Sequence, residues 1–283
     1  MKQPHLHWTQ EGQGPAVLLS HALGCDTSMW DGVAAALKGR YTVLRHDHRG
    51  HGKSEAVPGP YTIDLLADDV AGLIRAHSAG PVHFVGLSMG GMTAQALAAR
   101  HPQLLKSITI ANAAMHYDDA ARAMWAARVK TVLEQGVAAI ADGAMQRWFT
   151  PEFRADEAGG GKQRVAALRL QLEKTDAAAY AASCEAVANI DFRASNTGIR
   201  CPALVIAGTR DEATPVAMSE AIRDSIPGAA KNAKAGFSYE VSLKRLVVAP
   251  EPVAAAPIVE EAPVASAPPA KPVKKSKRKA ARR

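Results

Sequence analysis

Ser88 stands in Gly86-Leu87-Ser88-Met89-Gly90, with a further glycine at Gly91, directly after the apolar run Val82 to Val85 and directly before helix formers that reach Arg100. A tight strand-to-helix turn leaves no room for bulk beside the turning residue. Glycines two positions to either side therefore let a serine project its hydroxyl above the edge of a sheet. The start of the following helix favours negative charge that develops there. Such a hydroxyl suits acyl transfer, in which it attacks a carbonyl and backbone N–H groups hold the resulting oxyanion. The residue after the nucleophile, Met89, supplies one N–H. The loop after the apolar run Val17 to Ser20, which reads His21-Ala22-Leu23-Gly24, is the place for the second. His21 is readable as a base, but its position in this loop favours a hydrogen-bonding, structural role.

An acid is expected at the end of a late strand. Ala203 to Ala207 runs into Gly208-Thr209-Arg210-Asp211-Glu212-Ala213-Thr214-Pro215, which sets Asp211 on a turn where a carboxylate can orient an imidazole and stabilise its charged form. The plainer alternative is an acidic turn residue that caps the next helix. A second cluster, Arg45-His46-Asp47-His48-Arg49-Gly50-His51-Gly52-Lys53-Ser54, invites a metal reading. No further ligand cluster completes a site, so Asp47 and Arg49 are read as holding a turn after a strand, and no metal is expected.

These residues need a sheet to position them. Val17 to Ser20, Tyr41 to Arg45, Val82 to Val85, Ser107 to Ala111 and Ala203 to Ala207 read as short buried strands. Between them, Thr62 caps a helix whose Ile63, Leu66, Val70, Leu73 and Ile74 recur at helical spacing. Alternation of strand and helix predicts an α/β fold with a mostly parallel sheet covered on both faces. From His116 to about Ser195 the strand signals stop and helical stretches follow one another, beginning with Asp118 to Gln135 and the terminating Gly136. The expected organisation is a core of residues 1–115 and 196–248, a helical cap at 116–195 and a disordered Ala/Pro/Lys-rich tail at 249–283. Trp125, Trp148, Phe149 and Phe153 are the cap aromatics that either face a pocket or pack the cap onto the core.

Charge excludes less than it first suggests. Eight of the 34 lysines and arginines fall between Lys271 and Arg283, which leaves 26 basic against 27 acidic residues before them, so the net charge of +7 belongs to the tail. The tail lysines have no interleaved aromatics for stacking on bases, and a solvated appendage is favoured over a nucleic-acid contact. Cys25, Cys184 and Cys201 are odd in number and widely spaced, which argues for buried thiols in a reducing compartment rather than a disulfide framework or zinc site. No signal-like opening and no apolar run of roughly 18 residues is present, and a cytoplasmic protein without membrane contact is the expectation.

Several segments together go beyond a general fold pattern: Ser20-His21-Ala22-Leu23-Gly24-Cys25-Asp26 with Met29-Trp30-Asp31, Pro58-Gly59-Pro60-Tyr61-Thr62-Ile63, Gly86-Leu87-Ser88-Met89-Gly90-Gly91-Met92-Thr93, and Arg147-Trp148-Phe149-Thr150-Pro151-Glu152-Phe153. With Gly208 to Pro215 and the Asp47 to Ser54 loop, they resemble the α/β-hydrolases. Within that superfamily they resemble the 3-oxoadipate enol-lactonases of aromatic catabolism, over about residues 3–229. The resemblance implies an inserted helical cap, Ser88 as nucleophile, Asp211 as the acid, Leu23 and Met89 as oxyanion donors, and hydrolytic opening of a small carboxylated enol-lactone without a cofactor. Trp125 and Trp148 would line the substrate pocket, and Arg147 or His116 would meet the carboxylate. A carboxylesterase of the same fold and a catalytically silent binding protein with a basic tail are the alternatives.

The same resemblance exposes a gap. The order in this fold is Ser, Asp, His, yet the last histidine of the 283 residues is His116. Resemblance stops near Ala229-Ala230, where the histidine loop should come. Either a coding discontinuity replaced the end of a lactonase, or a variant recruits another base, for which His116 is the candidate. Loss of a triad member removes roughly 4 to 8 kcal/mol of barrier lowering.

Overall fold

The computed structural model describes residues 4–234. Within them one sheet holds β1 (Trp8–Glu11), β2 (Ala16–Ser20), β3 (Thr42–His46), β4 (Val82–Leu87), β5 (Leu105–Ala111), β6 (Ala203–Gly208) and β7 (Ala230–Lys234). The spatial order is β1-β3-β2-β4-β5-β6-β7. Only β1 runs antiparallel, against β3, and every other pairing is parallel. All six residues of β4 are buried, and because successive side chains point to opposite faces, both faces of the sheet must be covered there.

The covering helices are α1 (Asp31–Leu37), α2 (Ile63–His77), α3 (Met89–Arg100) and α9 (Val216–Ser225). Their starts follow local chemistry. Thr62 is extended and its Oγ1 accepts from the Leu65 N–H at 3.1 Å, which satisfies one of the orphan donors of the first turn of α2. The apolar stripe of α2, including Leu66, Val70 and Ile74, joins Leu18, Leu44 and Phe84 of the strands and Met92 and Leu97 of α3 in one core. Gln95 on α3 is fully buried and polar, and it is matched. Its amide donates to the Gly91 and Ala114 carbonyls at 3.2 and 3.1 Å and accepts from Asn196 at 2.9 Å, which also donates to Ser225 at 3.0 Å. This chain ties α3 to the segment that returns toward β6 and to the end of α9.

Between β5 and β6 lie α4 (Asp119–Gln135), α5 (Ala138–Trp148), α6 (Pro151–Ala155), α7 (Gly161–Glu173) and α8 (Ala177–Ala188). Asp118 caps α4 by accepting from Ala121 N–H at 2.8 Å, and Gly136 ends it at φ 81°. Helix α4 packs on α5 and α8, and α7 packs on α5 and α6. No helix of the described residues is long and apolar enough to cross a membrane. The last part of the expected core, residues 235–248, and the tail at 249–283 lie outside the described residues. A strand the sequence reading does not anticipate, β7, closes the described sheet by pairing Leu204 with Ala230 through Gly208 with Lys234.

Candidate active site

Strands β2, β4, β5 and β6 end on the same edge of the sheet, and the turns that follow them hold the candidate residues. After β4, Ser88 takes φ 52° and ψ −113°, a backbone conformation that costs of order 1–3 kcal/mol and persists only where surroundings enforce it. Two bonds enforce it here: Ser88 N–H donates to the Ala111 carbonyl at 2.9 Å, and the Ser88 carbonyl accepts from Met92 N–H at 2.9 Å. A Cβ at Gly86 would strike the Gly90 carbonyl, and one at Gly90 would strike the carbonyls of Ser20 and His21. The two glycines are thus required by close backbone approach. Ser88 stays partly accessible between the buried Leu87 and Met89.

The approach at Gly90 also presses the first turn of α3 against the turn after β2. First-turn N–H groups have no acceptor inside their own helix, so Met89 N–H is available at this edge. The facing turn is fixed by its own bonds. Cys25 N–H donates to the Ala22 carbonyl at 3.0 Å and Gly24 takes φ 73°. His21 donates from Nδ1 to the Ala22 carbonyl at 2.8 Å and accepts at Nε2 from the His48 N–H at 2.9 Å. The Leu23 N–H lies inside this turn and is not among the donors that hold it.

Behind the turn, four histidines pack together, with ring centroids 4.6 to 6.2 Å apart between His21, His46, His48 and His51. Ser20 Oγ sits between His48 Nε2 at 2.9 Å and His46 Nε2 at 3.2 Å. Burial pushes the pKa of His21 down to about 3, of His46 to about 4 and of His51 to about 3, and that of His48 well below its ordinary value. All four are neutral in the folded protein near pH 7. Beside them Asp47 accepts from Thr27 N–H at 2.7 Å and Lys53 N–H at 2.9 Å, and Arg49 makes a two-bond pair with Asp69 at 2.6 and 2.7 Å. Among the described residues no group of three or more His, Cys, Asp or Glu is arranged to hold a metal ion.

After β6, the Asp211 carboxylate accepts four hydrogen bonds. Oδ1 takes the N–H groups of Ala213 and Thr214 at 2.8 and 3.0 Å, and Oδ2 takes Thr214 Oγ1 at 2.7 Å and Asn112 Nδ2 at 2.5 Å. Asn112 follows Ala111, the residue that receives the Ser88 N–H, and itself takes φ 46°. Ser88 and Asp211 are therefore joined through two adjacent residues at the end of β5.

Over this edge stands an unmatched set of cations. The Arg128 guanidinium lies 4.7 Å from the Trp125 ring centroid, and Trp125 meets Tyr117 edge to face at 6.0 Å. Tyr117 is pushed up to about 12 by burial, with Arg128 pulling down and Asp211 pushing up. Tyr117 thus lies within electrostatic reach of both Arg128 and Asp211. Although much of its side chain is exposed, Arg147 has its pKa lowered by burial and then by Arg128. Neither arginine has a carboxylate partner among the described residues. Trp148, Phe149 and Phe153 instead line a cavity of about 560 Å³ together with Ala22, Cys25 and Met29.

A family model for the alpha/beta hydrolase fold matches residues 15–236. The chain belongs to the α/β-hydrolase family. Among relatives of this hydrolase, 3-oxoadipate enol-lactonase 2 of Acinetobacter baylyi is 39% identical over 214 residues, which is 75% of this chain and 78% of the relative. The pimeloyl-[acyl-carrier protein] methyl ester esterase of Chromobacterium violaceum is 31% identical over 223 residues, 77% of this chain and 84% of its own. The crystal structure of the enol-lactonase from Burkholderia xenovorans LB400 superposes with a TM-score of 0.78 at 37% identity, covering 83% of this chain and 90% of that one.

The structure brings Ser88, Met89, the Leu23 turn and Asp211 of this hydrolase to one edge. His116 lies farther along the segment that follows β5. The His116 backbone bridges Asp191 and its ring acts on Asp191, whereas the next residue, Tyr117, is coupled to Arg128 and Asp211. On an extended segment neighbouring side chains point apart, which is why the two residues serve different surroundings. Asn112, Arg128 and Tyr117 are absent from the sequence reading. Asn112 alone had a signal, its place directly after a strand that ends at the site edge.

Proposed function

We propose that this hydrolase opens a small carboxylated enol-lactone in the catabolism of aromatic compounds, in the cytoplasm, with Ser88 as nucleophile, Leu23 and Met89 N–H groups as oxyanion donors, and Asp211 as the acid. The observation that carries the reading is the strained Ser88 turn bonded to Ala111 while the adjacent Asn112 holds Asp211. In this reading residues 1–115 and 196–248 make up the core, of which 4–115 and 196–234 are described and carry these groups, and 116–195 make up a cap that shields them. Arg128, with Arg147 nearby, answers the substrate carboxylate, because a guanidinium without a carboxylate of its own is a ready partner for one. Trp125 fixes Arg128 by stacking, and Trp148 closes the side of the pocket next to Gly24. No imidazole follows Asp211 in the 283 residues, so water rather than a side chain in the triad position takes the Ser88 proton as the hydroxyl attacks, the oxyanion donors and binding supply the remaining assistance, and turnover is slow.

The test is a serine-directed phosphonate with lactone hydrolysis measured in parallel. The expected result is one phosphonyl group on Ser88, none on Ser88→Ala, and slow lactone opening that Ser88→Ala abolishes. A folded protein that resists the phosphonate, or a Ser88→Ala variant that hydrolyses the lactone equally fast, would sink the proposal. A general ester hydrolase is the second reading, favoured by the similarity to a methyl ester esterase, and it predicts faster cleavage of simple methyl esters than of the lactone.

A further inference from the structure

Tyr180 on α8 is fully buried, and its hydroxyl makes no well-aligned hydrogen bond, with the Arg128 guanidinium and the Cys184 thiol lying next to it. Leaving a buried hydroxyl unpaired costs about 1–3 kcal/mol, and phenylalanine would fill the same space without that cost. Its setting says what the oxygen is for. A Cβ at Gly24 would come within 3.1 Å of Tyr180 Cε2, so the ring edge next to the hydroxyl lies against the turn that carries the Leu23 N–H. Burial foremost, and Cys184, push the phenol pKa up, Arg128 pulls it down, and Cys25 of the same turn adds to the rise. The phenol is therefore a neutral donor at ordinary pH. Arg147 senses Tyr180 as well as Arg128, so three groups that can only donate or do so by preference face one region, and none of them is answered by a carboxylate among the described residues.

We propose that the Tyr180 hydroxyl is a specificity-determining donor, which joins Arg128 in receiving the carboxylate of the substrate. The inference rests on the carboxylated-lactone reading and sharpens it. Because the hydroxyl sits beside the oxyanion turn, the carboxylate it receives lies close to the reacting carbonyl. The pocket then selects short acids in which only a few carbons separate the two groups. A longer acid would place its carboxylate past the phenol and gain nothing from it.

The experiment is isothermal titration of the full chain, as wild type, Tyr180→Phe and Arg128→Gln, with a saturated γ-lactone carboxylate and with γ-butyrolactone, which lacks the acid group. The expected result is a Kd for the acid raised roughly tenfold in Tyr180→Phe and more in Arg128→Gln, with γ-butyrolactone bound equally by all three. Binding of the acid by Tyr180→Phe within twofold of wild type would overturn the role of the hydroxyl and leave the carboxylate reading standing. Equal losses for both ligands would also overturn it, because they mark a collapsed pocket rather than lost recognition. Wild type that takes up the phosphonate at Ser88 but prefers γ-butyrolactone to the acid would remove the carboxylate reading and this inference with it.

Discussion

Two polar clusters flank the turn that carries Leu23, and they are built on opposite terms. Behind it, His21, His46, His48, His51, Asp47 and the Arg49–Asp69 pair each find a partner in the protein, and the imidazoles are uncharged, although His46 Nδ1, His51 Nε2 and Arg49 Nη1 stay unpaired. In front of it, Arg128, Arg147 and Tyr180 crowd together with donors alone. Polar groups taken out of water cost free energy unless something answers them. The first cluster is answered by the protein and behaves as scaffold. The second is left for a ligand. Matching among neighbours, more than burial itself, separates a structural polar cluster from a recognising one.

The sharpest way to break this contrast is to unpair the scaffold. Arg49 and Asp69 expose only 1% and 6% of their side chains, so Asp69→Ala leaves a buried charge with no partner and should cost about 3–5 kcal/mol in denaturant unfolding. A loss below 1 kcal/mol would show that the pair is not integral to the loop. Acid should act next. The buried histidines have folded pKa values of about 3 to 4 for His21, His46 and His51, against an unfolded value of about 6.5. Stability is therefore full above pH 6.5 and drains as the pH falls, by about 2 kcal/mol per histidine at pH 5. Unfolding curves at pH 7.5, 6 and 5 check this, and coincident midpoints would contradict it. The smallest effect belongs to the front cluster. Arg147→Gln removes a charge that repels Arg128 and should shift stability by no more than about 0.5 kcal/mol, upward if at all, while weakening binding of the lactone acid. A clear drop in Tm would mean that Arg147 belongs to the scaffold after all.

Much of this was legible in the residues because it is local. The five apolar strands appear within about two residues of where they were expected, since a parallel sheet buries β-formers in short runs. The glycines around Ser88 speak through backbone approach, which tolerates no substitute. β1 and β7 were passed over because Trp8-Thr9-Gln10-Glu11 and Ala230-Lys231-Asn232-Ala233-Lys234 carry no apolar pattern and owe their form to the strand they lie beside. Arg128 and Tyr180 were equally invisible. They sit on different helices, 52 residues apart, and the periodicity of α4 or α8 taken alone does not say that the two side chains meet. His116 was weighed only by its nearness to a strand end, which says nothing of the bridge its backbone makes with Asp191.

One detail of the β6 turn reaches further. A carboxylate gripped by two amide hydrogens, a hydroxyl and an asparagine keeps its aim whether or not a ring ever leans on it. Orientation there is inherited from the loop rather than from the neighbour it would serve. Bringing a heterocycle up to this acid would then require no rebuilding of the loop that aims it.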